Sequence, residues 1–160
     1  SQYADGILQD SPYPKVSMED ILITSNTEEN LSFYGQRVNA IYAKYKGMAQ
    51  SFKIDSISEA TDASSLENFM KTIGNLYSLS AEELIATRVP SLLASVHLSL
   101  INNYLESAEV MKTLGNLTDD PIRAYAALNT HAKNTKEEEG ILLNIQRTMM
   151  ANGVNFGTGL

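Results

Sequence analysis

The chain predicts an all-α fold, an elongated antiparallel bundle of four main helices, on three observations. Apolar residues recur at steps of three and four over long stretches. Capping residues, Pro and Gly punctuate those stretches where helices should start and stop. The periodicity leaves no room for a sheet.

The first helix is expected over about residues 27–53. Asn26 or Thr27 offers an N-cap, Glu28 and Glu29 suit the positive end of the helix dipole, and Leu31, Tyr34, Val38, Ile41, Tyr45, Met48 and Phe52 form a regular seam. Tyr34, Tyr42 and Tyr45 read first as core and boundary residues and second as a ligand platform. Residues 1–25 are a polar, Pro-punctuated leader or linker. Its apolar patch near 18–24 is expected as a short helical piece or a strap.

Ser64 with Glu67 makes a capping box for a second helix over about 64–73, ending at Gly74. Ser80 with Glu83 repeats that signature for a short piece over about 81–87, which Pro90 interrupts. The longest seam follows. Leu93, Val96, His97, Leu100, Ile101, Tyr104, Ala108, Met111 and Leu114 lie on one face of a helix over about 90–114, opened by Pro90 and closed by Gly115 in a left-handed conformation.

Asp119-Asp120-Pro121 opens a fourth helix over about 120–152. Its early buried stripe reads as Ile122, Tyr125, Leu128 and Ala132, and Leu142, Ile145 and Met149 take up the phase again. The polar run from Asn134 to Gly140 between them is expected to be exposed or to project beyond the other helices. Gly153 closes the helix, so the bundle domain spans 26–153 and 154–160 form a tail. The segment from Met70 to Leu76 returns almost unchanged from Met111 to Leu117. A good C-cap used twice is the simpler reading, and a trace of duplicated helical hairpins is the other.

Composition bounds the function. A net charge of −7 without a basic run opposes nucleic acid and anionic membrane surfaces, and zero Cys removes disulfides, thiolate metal sites and Cys nucleophiles. No nucleophile elbow, Ser-x-x-Lys pair, phosphate-binding loop or His-Glu-x-x-His motif is present, so no catalytic residue, cofactor or metal is expected. His131 reads as solvated and Glu137-Glu138-Glu139 as a solvated acidic face. His97 reads as a neutral ring in or beside the core. His97, Tyr104 and Arg88 are the candidate ligand-binding or buried polar site.

Only 19% of residues are charged, and Ser, Thr and Asn carry the polar load, which leans toward an exported protein. The chain opens on Ser, suggesting a processed or trimmed form whose anchor was left out. Val89-Pro90, then His97-Leu98-Ser99-Leu100-Ile101-Asn102, then Asp120-Pro121-Ile122-Arg123-Ala124, resemble segments of uncharacterised bacterial proteins built as a single N-terminal membrane anchor and a helical ectodomain. The resemblance covers about residues 89–128. It implies a tethered extracytoplasmic helical domain and brings no catalytic residues.

The expected function is a non-enzymatic extracytoplasmic interaction or structural module, a component of an envelope, secretion or surface assembly. It would work through a protein partner or self-association, meeting the membrane only through an anchor. The alternative is a ligand-sensing bundle holding a small molecule between its helices, and the alternative location is the cytoplasm.

Overall fold

A computed structural model describes residues 13, 15–59, 63–116 and 118–155. Four helices dominate it: α1 (Glu28–Glu59), α2 (Ala63–Ile85), α3 (Ala94–Leu114) and α4 (Pro121–Ala151). Two three-residue strands, β1 (Leu22–Thr24) and β2 (Arg88–Pro90), pair in parallel with Ile23 opposite Val89. Most of the leader and residues 156–160 of the tail lie outside the described residues.

The all-α reading holds, and its boundaries move for physical reasons. Helix α1 starts at its expected cap, with the Asn30 N–H donating to Thr27 Oγ1 at 3.2 Å. It then runs six residues beyond the expected end, through a stretch that holds no Gly or Pro to stop it. The second helix does not end at Gly74. It absorbs the separate piece expected over 81–87, and its Ser80 hydroxyl donates to the Leu76 carbonyl four residues back instead of capping a new start. Nor does Glu67 close a capping box, because its carboxylate accepts from the Thr118 N–H and hydroxyl across the bundle.

The patch over 18–24 is a 3-10 turn, Met18–Asp20, followed by β1. Pro90 ends β2 instead of opening a helix. Its ring holds Val89 in the extended region, a 3-10 turn over Ser91–Leu93 follows, and the Asn26 amide ties that turn to the start of α1 through Ser91 Oγ and the Leu92 N–H.

Gly74 and Gly115 explain the repeated segment. A Cβ on Gly74 would stand 2.9 Å from the Ala108 carbonyl and 3.4 Å from Lys112 Cγ, and one on Gly115 would stand 3.0 Å from the Glu67 carbonyl and 2.8 Å from Lys71 Cγ. Ala108, Lys112 and Gly115 each follow Glu67, Lys71 and Gly74 by the same interval, so the two copies pack on each other reciprocally across antiparallel α2 and α3. Neither glycine supplies a left-handed cap: Gly74 lies inside α2, and Gly115 has φ −71°. The end of the second copy, Leu117, lies outside the described residues. Gly153, at φ +77°, does close α4 as expected.

The core sits where all four helices converge. Tyr34, Val38 and Ile41 of α1 meet Leu84 of α2, Leu100 and Ile101 of α3, and Ile145 and Met149 of α4. Met48 and Phe52, expected in the α1 seam, are instead exposed.

The largest correction concerns α4. Ile122, Tyr125 and Leu128 are exposed, Ile122 by 85%, and Ala132 with them; Ala124 and Ala127 face α3 in their place and pack with Val110, Met111 and Leu114. Small residues let α4 approach α3 closely, and the later stripe of Leu142, Ile145 and Met149 sets the rotation of the whole helix. The helix start is as expected, with Pro121 in the first turn and the Asp120 carboxylate accepting from the Arg123 N–H at 3.0 Å. Asp120→Ala should therefore cost about 1 kcal/mol of stability, read from chemical denaturation.

Candidate functional site

The three flagged residues separate. Arg88 is exposed on β2, His97 is sealed in the core, and Tyr104 lines a cavity.

His97 is fully buried, and both of its ring nitrogens are used. The Leu84 carbonyl, 3.1 Å from Nε2, can only accept, so Nε2 carries the proton. Nδ1 is then the acceptor for the Tyr34 phenol at 3.1 Å, and the Tyr34 ring stands edge-on to the imidazole. Burial pushes the His97 pKa down to about 4, partly opposed by the bond to Leu84. The ring is neutral, fixed in tautomer and saturated, which leaves no nitrogen for a ligand.

The cavity holding Tyr104 encloses about 220 Å³ and draws on every helix: Tyr42, Tyr45 and Lys46 from α1, Leu76, Tyr77 and Ser80 from α2, Tyr104 from α3 and Glu138 from α4. Its walls are aromatic. The rings of Tyr77 and Tyr104 meet edge to face with centroids 5.6 Å apart, and Lys46 Nζ lies 5.0 Å from the Tyr42 ring centre. Tyr45 gives the cavity its ring, while its hydroxyl is drawn away by Glu83 at 2.7 Å. That same Glu83 receives Arg37 and Lys44, and these bonds, Lys44 first, hold its carboxyl below the usual range.

Glu138 supplies the polar focus. Among the described residues its one hydrogen bond comes from the Tyr104 phenol, 2.7 Å from Oε1, and no cation lies within ion-pair distance. Burial raises its pKa; the Tyr104 bond and the charge of Lys46 pull the other way, and the neighbouring Glu139 adds to the rise. Burial likewise pushes Tyr77 up to about 12 and drives Tyr104 further above the ordinary phenol range. A half-buried carboxylate bonded by one phenol and facing tyrosine rings can receive a hydrogen-bond donor or a positive charge.

Sequence reasoning missed Glu138, Tyr77, Lys46 and Ser80. A signal for Glu138 was present. The stripe of Met149, Ile145 and Leu142, continued toward the N-terminus by fours, reaches Glu138 and then Asn134, which is buried, not exposed as expected for this run. The Asn134 carbonyl accepts from the Asn103 amide at 2.9 Å, and its own amide reaches Ser107. His131, read as solvated, is half-buried on the same face, and burial lowers its pKa.

Among the described residues no three His, Asp or Glu side chains gather as metal ligands would, and no helix is long and apolar enough to cross a membrane. No protein-family model, curated protein or solved structure matches the chain.

Proposed function

We propose that the bundle binds a small molecule in the tyrosine cavity and that the ligand is a compact organic cation, an amine or a quaternary ammonium. The observation that carries this reading is Glu138, a carboxylate withdrawn from water with a single phenol for company and aromatic faces around it. Such a group pays desolvation when it ionises, and a cation entering the cavity would offset that cost directly. The ring faces would add attraction of about 0.5–2 kcal/mol for each well-placed contact. A cavity of 220 Å³ is small for a metabolite site, which favours a compact ligand. The resemblance of residues 89–128 to anchored ectodomains supports placing this binding domain outside the cytoplasm, where it would sample ligands directly.

Titration of the protein with a panel of primary, tertiary and quaternary amines, followed by tyrosine fluorescence, tests the reading. Glu138→Gln keeps the acceptor for Tyr104 and removes the charge, and should weaken binding at least tenfold, about 1.4 kcal/mol. Lys46→Gln removes a competing cation from the rim and should tighten it. Because a carboxylate with a raised pKa destabilises the folded state above that pKa, Glu138→Gln should also raise the melting temperature at pH 7, a gain that shrinks as pH falls and Glu138 becomes protonated. Tighter binding of anions than of amines, reversed by Lys46→Gln, would defeat the assignment.

A further inference from the structure

The side of α4 opposite its buried face carries a row of side chains from Ile122 to Met150, each three or four positions from the last, the spacing of a coiled-coil seam. Among the described residues the row is unpartnered: Ile122 is 85% exposed, Tyr125 69%, Leu143 42% and Met150 60%, and of its members only Gln146 is half-buried. We propose that this face is the interface of a symmetric homodimer in which α4 lies antiparallel on the α4 of a second copy of the chain, with Lys136 facing Glu139 across the two-fold axis.

The occupant follows from the order of the row. In that register Lys136 meets the opposite charge of Glu139, Ala132 leaves room for Leu143, the amide of Asn129 meets the amide of Gln146, and Tyr125 meets the thioether of Met150. The two-fold axis repeats each of these layers, so a single charge match is made twice. Other arrangements lose the match. A parallel pair sets Lys136 on Lys136 and Glu139 on Glu139. Sliding the antiparallel pair by one heptad sets Glu139 against Leu143 in one direction and Lys136 against Ala132 in the other. The contacting stretch from Tyr125 to Met150 spans roughly 38 Å at 1.5 Å per residue, and its mixed polarity fits a reversible interface at the small end, roughly 600 Å² per partner. The assembly role expected from the sequence thereby acquires a surface, and it does so independently of the tyrosine cavity.

Sedimentation equilibrium of the full chain should show a monomer at about 1 µM that becomes substantially dimeric by about 100 µM, the range of a small reversible interface. Lys136→Glu and Glu139→Lys should each weaken the dimer at least tenfold, because each places two like-charge layers across the seam. The double exchange should restore it to within about threefold of the parent. Circular dichroism controls for folding, which these exposed positions should not disturb. The chain has no Cys, so mixing Lys136→Cys protein with Glu139→Cys protein should give a disulfide-linked heterodimer on oxidation, in preference to either homodimer. A monomer at every concentration overturns the proposal, whether another part of the chain or nothing covers the face. A dimer indifferent to the charge exchanges, or cross-linked best through Lys136→Cys alone, overturns the register and with it the proposal.

Discussion

His97→Leu is expected to cost the fold about 3 kcal/mol at pH 7, measured by chemical denaturation. The substitution leaves the fully buried Tyr34 phenol without an acceptor, a desolvation penalty of about 1–3 kcal/mol, and replaces a ring that fits its site by a side chain of different shape. The Leu84 carbonyl is spared, since it also accepts the Thr87 N–H at 2.8 Å. Tyr34→Phe in the His97→Leu background should recover part of the loss by removing the orphaned hydroxyl, so that the two substitutions are not additive.

The penalty should also depend on pH. A histidine whose folded pKa is depressed contributes stability that is fully present above the unfolded value near 6.5 and is lost as pH falls toward the folded value near 4. Over that window the parent protein should lose roughly 3 kcal/mol that the His97→Leu variant does not have to lose. The two stability curves should converge near pH 4. Parallel curves from pH 7 to pH 4 would mean that His97 is not held neutral by its burial.

Gly74→Val is expected to be comparably damaging, at about 3 kcal/mol, through the α2–α3 contact. Its first new atom would sit 2.9 Å from a backbone carbonyl and 3.2 Å from Met111 Cβ, neither of which is the free end of a flexible side chain. The helices must separate or the rotamers must strain, and the β-branch adds its own restriction inside a helix. Gly47, inside α1, is the control: nothing stands within 4 Å of a Cβ placed there, so Gly47→Ala should stabilise by about 0.5–1 kcal/mol through helix propensity alone. Opposite signs at the two glycines, read from thermal melts of otherwise identical chains, would establish that Gly74 is retained for close approach. A neutral Gly74→Val would remove the packing explanation of the repeated segment.

Local chemistry was legible wherever a residue decides its own neighbourhood. The Thr27 and Asp120 caps, the left-handed Gly153, the α1 seam as far as Tyr45 and the α3 seam follow from hydrogen-bonding capacity, backbone freedom and spacing, which act over a turn or two of helix. Gly74 and Ser80 show the boundary of that logic. Both carry the chemistry of a helix end, yet α2 runs through them because α3 packs against the glycine and the hydroxyl finds a carbonyl within its own helix.

Helix α4 marks the other boundary. Ile122, Tyr125 and Leu128 are its most apolar early residues, and hydrophobicity alone turns them inward. The observed rotation turns Ala124, Ala127, Asn134 and Glu138 inward instead. A single rigid helix has one rotation, and the stronger demand of Leu142, Ile145 and Met149 at the four-helix end imposes it on the whole length. The tyrosine cavity was beyond reach for the same reason. Tyr42, Tyr77, Tyr104 and Glu138 come from four helices, and their convergence depends on the rotation and stagger of each against the others. By itself the sequence determined the helical class, the capped starts of α1 and α4 and the central stretches of the α1 and α3 seams, because those are local balances of burial and hydrogen bonding. Which face of α4 is buried, which face stays exposed and which tyrosines share a cavity were decided only in the tertiary structure, where close packing of whole helices outweighs the preference of any single residue.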